Sequence, residues 1–242
     1  MTSSNYNITF VDGSLYVLQA PPNVNVNADT GLCSAALLDL PVPMLGTPTP
    51  LTPLTISRSG VPSGNVFPVG TTTVTYSATL GATTVTATQT VTVNDTQAPV
   101  INLKSQAIDL WPPDHKYQTI KVSDLVLSVS DNCNSTPLSV SNVLITRVTS
   151  DEPENINSGD GNTWNDMVIA ADSKSVQLRA ERDGNKNGRV YWVHMMVTDS
   201  AGNVGTVKAR VNVPKSQGNG GSAVDSGPAY QVCVGACPPL LP

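Results

Sequence analysis

Two long segments of the chain alternate apolar and hydroxyl-bearing residues with a period of two. Residues 67–76 and 85–93 are built largely of Val, Thr and Ala in this alternation. Because successive side chains of a strand point to opposite faces, the pattern gives each segment one apolar face and one hydroxyl-bearing face. β-Branched side chains also suit a pleated backbone better than a helical one. The pattern therefore predicts strands over residues 71–80 and 83–93.

The first 20 residues predict a β-hairpin. Short alternating runs at 6–11 and 14–18 flank Asp12-Gly13, a dipeptide that favours two-residue turns. An isolated hairpin is only marginally stable in water, so this one has to pack on something. Two interpretations stay open. The hairpin packs on the next domain of its own chain, or it is donated as a strand to a neighbouring chain.

The rest of the chain divides into two further β-rich regions and a tail. Residues 22–95 begin with short apolar runs and a proline-rich stretch typical of an edge or loop, and they end in the two long strands. Residues 99–214 carry seven short runs separated by turn residues, as in a β-sandwich. These runs span residues 99–103, 117–122, 126–129, 138–148, 175–180, 189–199 and 205–213. We expect an all-β protein of two tandem antiparallel sandwiches, followed by a flexible Gly/Pro-rich tail at 215–242.

Three segments resemble known modules. Residues 67–76 and 85–93, with Asp95-Thr-Gln-Ala-Pro99, resemble the hyalin-repeat (HYR) module, an immunoglobulin-like sandwich of extracellular multidomain proteins. Residues 1–20 resemble the last hairpin of the bacterial MBG-type repeat. Residues 110–115, a Gly-Asp-Gly loop and residues 178–182 together resemble a module that follows hyalin repeats in bacterial secreted proteins. These resemblances imply immunoglobulin-like folds in an extracellular or cell-surface protein.

Four cysteines bear on the redox compartment. Cys33, Cys133, Cys233 and Cys237 allow three full pairings, and the sequence leaves the choice open. Hyalin repeats carry several cysteines, whereas residues 22–95 hold Cys33 alone, so that family's disulfide scheme does not carry over. In an oxidising compartment we expect at least one disulfide, tying the C-terminal tail to the body of the protein.

Charge argues against a nucleic-acid partner, and hydropathy argues against a membrane-spanning segment. The net charge is −5 and no Lys/Arg cluster stands out in the sequence, which argues against a nucleic-acid partner. No apolar stretch reaches the ~20 residues that span a bilayer. Residues 1–6 lack the basic and apolar regions of a secretory signal. For an extracellular protein, we therefore expect a chain cut from a longer one or a leader replaced by a start Met.

The richest polar segment covers residues 150–166. Carboxylates and amides on a Gly-containing loop are the oxygen ligands that Ca²⁺ requires, and the expected ligands are Asp151, Glu152, Asp160 and Asp166. The twelve-residue spacing of a helix-flanked calcium loop is absent. The alternative is a solvent loop whose Asp and Asn side chains cap turns.

Aromatic and histidine side chains give one candidate ligand site. Trp164 lies in the acidic loop, where an exposed indole is expected to stack on a sugar. Trp111 and Trp192 are expected in the core. Alternation along residues 190–197 places His194 on the same strand face as Trp192, and we expect a structural histidine there.

The function that these patterns favour is non-catalytic. We expect a structural or adhesive module of a larger bacterial surface or secreted protein, acting as a spacer or as a self-associating unit. Its expected partners are other copies of itself, neighbouring repeats, or surface glycans or proteins, and calcium is the one expected cofactor. The alternative is an accessory carbohydrate-binding module of a secreted hydrolase. Neither a Gly-x-Ser-x-Gly elbow nor a His-Glu-x-x-His motif is present, so we expect no enzyme activity.

Overall fold

The computed structural model is all-β and divides into two compact units, Met1–Gln97 and Ala98–Pro242. The predicted class of tandem immunoglobulin-like antiparallel sandwiches is confirmed. The structure describes residues 6–11, 14–45, 55–80, 82–133, 136–155, 162–218 and 221–240. Asp12-Gly13, the predicted hairpin turn, lies outside these ranges. Among the described residues, no helix has both the length and the apolar character needed to cross a membrane.

The described part of the first unit contains nine strands in three sheets. A four-stranded sheet has the order β3-β9-β8-β6, a three-stranded sheet has the order β1-β2-β5, and β4 pairs with β7. A 3₁₀ turn at Ser63–Asn65 precedes β7. The strands are β1 (Tyr6–Val11), β2 (Ser14–Gln19), β3 (Val24–Asn27), β4 (Ser34–Ala36), β5 (Met44–Leu45), β6 (Thr55–Ser59), β7 (Val66–Pro68), β8 (Gly70–Leu80) and β9 (Thr83–Asn94).

The two Thr/Val strands form the long ladder of this unit. β8 and β9 pair antiparallel through eleven residue pairs, from Gly70 opposite Val93 to Leu80 opposite Thr83. Along β9, every second residue from Val85 to Val93 is buried. The threonines between them lie on the other face. The sequence alternation therefore produces the buried face as predicted.

One polar residue belongs to this buried face. Gln89 is fully buried, and its side-chain amide donates a hydrogen bond to the Pro22 carbonyl at 2.7 Å. Its oxygen accepts a hydrogen bond from the Tyr76 hydroxyl at 2.8 Å. Both polar ends of the buried amide are satisfied, which removes most of the cost of burying it.

The N-terminal hairpin packs on its own chain in this structure. β1 and β2 pair antiparallel, and β2 also pairs with β5. Leu18 on β2 is fully buried in the first core, and Ala20 follows it there. Packing in cis therefore gives the hairpin the apolar contact that an isolated hairpin lacks.

In the second unit, the described residues form ten strands and one short α-helix. A five-stranded sheet has the order β11-β18-β17-β14-β19, a three-stranded sheet has the order β12-β16-β15, and β10 pairs with β13. The elements are β10 (Val100–Leu103), β11 (Ile108–Asp109), β12 (Tyr117–Lys121), α1 (Val122–Leu125), β13 (Val126–Ser130), a 3₁₀ turn (Val140–Asn142), β14 (Leu144–Ser150), β15 (Met167–Ile169), β16 (Ser175–Arg179), β17 (Arg189–Thr198), β18 (Val204–Val213) and β19 (Tyr230–Cys233).

The centre of this unit is the ladder between β17 and β18. Tyr191, Val193, Met195 and Val197 are all at most 1% exposed, as the alternation predicts for one face of β17. Trp192 points to the opposite face and is only partly buried, so its predicted place in the core is wrong. Trp111 is also outside the core and is 39% exposed.

The C-terminal tail differs from the prediction of a flexible segment. Its strand β19 pairs antiparallel with β14 and extends the five-stranded sheet. Cys233 and Cys237 form a disulfide within the tail, so the predicted covalent tie to the body of the protein is wrong. Cys33 and Cys133 are not disulfide-bonded. Strand pairing, and no disulfide, attaches the tail to the sandwich.

Candidate functional site

The described part of the acidic loop closes around a buried guanidinium. Arg189, at the start of β17, is 1% exposed. Its Nη1 donates to Asp166 Oδ2 at 2.6 Å, and its Nε donates to Glu152 Oε2 at 3.1 Å. Nη1 also lies 3.0 Å from the Tyr191 hydroxyl, and Nη2 donates to the Pro153 carbonyl at 3.3 Å. We call Arg189 and its two carboxylates the Arg189 cluster.

Arg189 stays charged although it is buried. Burial by itself disfavours the cation, but the Tyr191 hydroxyl and the Asp166 carboxylate raise the pKa of Arg189 above its usual range. Burial raises the pKa of the Tyr191 hydroxyl, which therefore stays neutral. A buried guanidinium with two carboxylates holds the loop in one arrangement, because removing Arg189 leaves Glu152 without a counter-charge and removing either carboxylate leaves the buried guanidinium with one counter-charge.

A second arginine joins the cluster to its surroundings. Arg179 on β16 donates from Nε to Asp166 Oδ1 at 3.2 Å. The same Nε lies 3.9 Å from Glu181 Oε2. Glu181 is fully buried, and its Oε2 also contacts the Thr163 hydroxyl and lies 3.1 Å from His115 Nδ1. The Arg and Glu of the 178–182 segment thus serve a structural ion-pair network.

Asp151, another carboxylate of the described part of the loop, binds backbone amides. Asp151 Oδ1 accepts from the Val190 N–H at 2.7 Å, and Oδ2 accepts from the Ser226 N–H at 3.2 Å. Burial raises the pKa of Asp151 despite these two hydrogen bonds. Asp151 therefore fastens the acidic loop to β17 on one side and to the C-terminal tail on the other.

These contacts occupy three of the four side chains that the sequence predicts as calcium ligands. Of the four expected ligands, Asp160 lies outside the described residues, and Asp151, Glu152 and Asp166 have the partners given above. Glu152 and Asp166 are arranged around Arg189, so an ion shared by these two would have to displace a guanidinium. Calcium binding here stays a prediction. Its test is the unfolding free energy with calcium and with a chelator, since a site at 100-fold excess of ion adds ~2.7 kcal/mol.

Trp164 lies where a ligand could reach it. Trp164 is 63% exposed. Its backbone is fixed, because Arg179 Nη2 donates to the Trp164 carbonyl at 3.0 Å. The guanidinium carbon of Arg179 also lies 4.2 Å from the centroid of the Tyr117 ring. Sugar stacking at Trp164 stays a prediction, with an exposed indole on an anchored backbone in its favour.

A row of basic side chains that the sequence pattern did not predict crosses the outer face of the five-stranded sheet. We call Arg147, His194 and Lys208 the basic row. Arg147 on β14 lies opposite His194 on β17, and His194 lies opposite Lys208 on β18. Arg147 Nη2 is 3.3 Å from His194 Nδ1. Burial first, and then the charges of Arg147 and Lys208, lower the pKa of His194 to about 4. These residues are distant in sequence, so only strand register could have revealed them.

Replacing Arg189 by methionine should destabilise the protein by about 3–5 kcal/mol, because the buried Glu152 loses its counter-charge and Asp166 keeps only Arg179. Urea denaturation measures the loss. Arg182→Met is the matched control, since the partners of Arg182 within the described residues are the main-chain carbonyls of Pro214, Asp183 and Lys215. If Arg189→Met does not fold, Arg189→Lys, which keeps the charge but loses the fork, should show a smaller loss. Equal effects of the two methionine variants would contradict the structural role.

The lowered pKa of His194 predicts that the protein loses stability on mild acidification. Its folded-state pKa lies below the usual 6.5, so between pH 6.5 and about 4 the unfolded chain binds a proton that the folded protein excludes. Stability from this residue is complete above pH 6.5 and is lost as the pH falls. We expect a loss of about 2 kcal/mol, allowing for the solvent that reaches the ring.

The measurement is urea denaturation at pH 7 and pH 4.5 for the wild type, His194→Asn and His115→Asn. His194→Asn should lose less stability between the two pH values than the wild type does. His115, whose side chain is 48% exposed, lies outside the basic row and serves as the matched control. An unchanged pH dependence in His194→Asn would show that Arg147 and Lys208 do not act on the imidazole.

Comparisons with known proteins give likeness in fold only. No protein-family profile matches the sequence, and no curated protein matches it. Among solved structures, the chain is similar to domains EC1-2 of human protocadherin-24, with 16% identity over 78% of this chain and 92% of that one and a TM-score of 0.32. It is also similar to extracellular domains 3–5 of Drosophila OTK, with 13% identity over 85% and 61% of the two chains and a TM-score of 0.31. These scores carry no functional argument.

Proposed function

We propose that this chain is a non-catalytic structural and adhesive module of an extracellular protein, in which the two units act as spacers. The observation that carries the proposal is that each unit closes its own apolar core with a long antiparallel ladder. β8 and β9 pair over eleven residues, and β17 and β18 pair over ten. Two independent sandwiches in series extend a surface protein without needing a partner to fold.

The use of the polar residues supports the same function. The carboxylates of the acidic loop bind Arg189, Arg179 and backbone amides, so they stabilise the loop. General acid–base catalysis needs such groups directed into a pocket that holds a substrate. Glu152, Asp166 and Glu181 are all at most 2% exposed and are directed into the fold. Their arrangement suits rigidity rather than turnover.

The finer part of the proposal concerns the parent protein and its partners. The hyalin-repeat and MBG-type resemblances favour a bacterial surface or secreted parent. Among the described residues, β1 and β6 are outer strands of their sheets in the first unit. An outer strand offers backbone donors and acceptors for another strand, so self-association through such an edge is the proposed adhesive contact.

Pulling on the chain ends tests the spacer function. With force applied to the two termini of a single molecule, we expect two separate unfolding events. The released lengths should be at most about 330 Å for the first unit and about 490 Å for the second, from about 3.4 Å per residue. A variant that unfolds only the first unit, Val74→Asp, should retain the longer step alone. A single event of the summed length, or extension without any force peak, would contradict two independent spacers.

A second candidate function is binding of a carbohydrate at Trp164, as in an accessory module of a hydrolase. The exposed indole on its anchored backbone favours it. Trp164→Ala should abolish binding to any polysaccharide retained by the wild type, measured by glycan array and affinity electrophoresis. Trp111→Ala is the control, since Trp111 is an exposed tryptophan outside the acidic loop. Equal loss in both variants, or no loss in Trp164→Ala, would contradict stacking at Trp164.

A further inference from the structure

The basic row crosses the outer face of the five-stranded sheet in the second unit. Strand register places Arg147, His194 and Lys208 directly opposite one another on β14, β17 and β18. In the neighbouring row of the same face, Trp192 lies opposite Arg210. Three of the chain's 13 lysines and arginines therefore occupy one face of one sheet, in a protein with a net charge of −5.

The basic row disfavours protonation of His194. A protonated imidazole would be a like charge directly opposite Arg147 and Lys208 on the two adjacent strands, and burial together with these two cations lowers the pKa of His194. Within the described ranges, neither Arg147 nor Lys208 forms an ion pair with a carboxylate. Arg147 Nη2 is directed at the His194 ring, and Lys208 Nζ lies 4.2 Å from the centroid of the Trp192 ring. Departures from local rules of this kind are concentrated at functional sites.

Other charged groups near the row are already satisfied by the fold. Arg210 donates to the Ala223 carbonyl and to Asn212 Oδ1, both at 2.6 Å. Asp225 Oδ2 accepts from Trp192 Nε1 at 2.8 Å, and its Oδ1 accepts from the Gly227 N–H at 3.0 Å. Burial opposes ionisation of Asp225, but the hydrogen bonds from Trp192 and Gly227 and the charges of Arg210 and Lys208 lower its pKa, so one end of the row carries a negative charge. Arg147 and Lys208 form no ion pair within the described residues and are the cations open to a ligand.

The C-terminal tail converts this face into a groove. Two adjoining hollows, of about 650 and 440 Å³, share Arg147, His194, Lys208 and Pro238. The sheet forms the floor. The disulfide loop from Cys233 onward forms one side, and Asp225 and Pro228 line the other end. The flat surfaces of Trp192 and the prolines thus lie beside the two cations.

We propose that this groove binds the carboxylate or sulfate groups of an acidic polysaccharide. Arg147 donates a guanidinium fork to one anionic oxygen pair, and Lys208 supplies a second cation two strands away. The apolar surfaces beside them suit the C–H faces of sugar rings. The groove is open to solvent, which leaves room for a chain to pass through it. This goes beyond a spacer function, which needs no such groove.

The experiment compares binding of four polymers to the full chain by isothermal calorimetry at low salt. Polygalacturonate carries carboxylates, dextran sulfate carries sulfates, dextran is the neutral control, and poly-glutamate is an acidic peptide. We expect binding to at least one acidic polysaccharide and none to dextran. The double variant Arg147→Gln/Lys208→Gln should bind about tenfold or more weakly, since two charged hydrogen-bonding groups are lost. Lys186→Gln removes an exposed lysine from the turn before β17 and should bind as the wild type does.

A second readout reports on the groove itself. An anion between Arg147 and Lys208 offsets the charges that lower the pKa of His194, so an NMR titration should show that pKa rising on binding. The sulfate and carboxylate polymers distinguish the two sources of the anionic group.

Three results would overturn the proposal. They are no binding of either acidic polysaccharide, equal weakening by Lys186→Gln, and an unchanged His194 titration in the complex. Binding of poly-glutamate alone would also overturn it, in favour of a peptide ligand. Matching melting temperatures establish that the variants are folded. The pulling experiment is unaffected by any of these outcomes, so the spacer function is tested separately.

Discussion

Burial of one face of each long strand is the constraint on which this structure depends. In β9 and in β17, every second side chain enters an apolar core, and the facing strand of each ladder completes the hydrogen bonding. A shift of one residue in either ladder would turn the whole apolar row toward solvent, so the register is strongly fixed. Everything else described here, including the Arg189 cluster and the basic row, takes its geometry from that register.

The Arg189 cluster shows how a polar loop becomes part of a β-sandwich. The acidic loop follows β14 of the five-stranded sheet and precedes β15 of the three-stranded sheet, and two of its carboxylates, Glu152 and Asp166, contact an arginine at the first position of β17. The fold thus uses the start of a core strand as the anchor for a surface loop. The same strand carries His194 on its outer face, so β17 links the buried ion pairs to the basic row.

Local patterns in the sequence predicted the strands because a two-residue period is a local property. The predicted runs at 117–122, 175–180 and 205–213 match β12, β16 and β18 within one residue at each end. Pairing of charges is not local. Arg189 lies 37 residues from Glu152 and 23 from Asp166 in the chain, so composition alone left the acidic loop open to a calcium interpretation.

The errors at Trp192 and in the tail have different physical reasons. The alternation of residues places Trp192 on the same strand face as His194, opposite the core face. The prediction that Trp192 lies in the core followed its size instead and was wrong. The four-residue strand β19 is too short to stand out within a Gly- and Pro-rich segment.

The pairing of β19 with β14 also determines where the chain can be truncated. Cutting the chain after β18 would uncover the hydrogen-bonding edge of β14, and an uncovered edge is a template for aggregation. The tail is therefore a cap that replaces the seven-residue edge of β14 by the four-residue edge of β19, and a short edge strand is a poorer template.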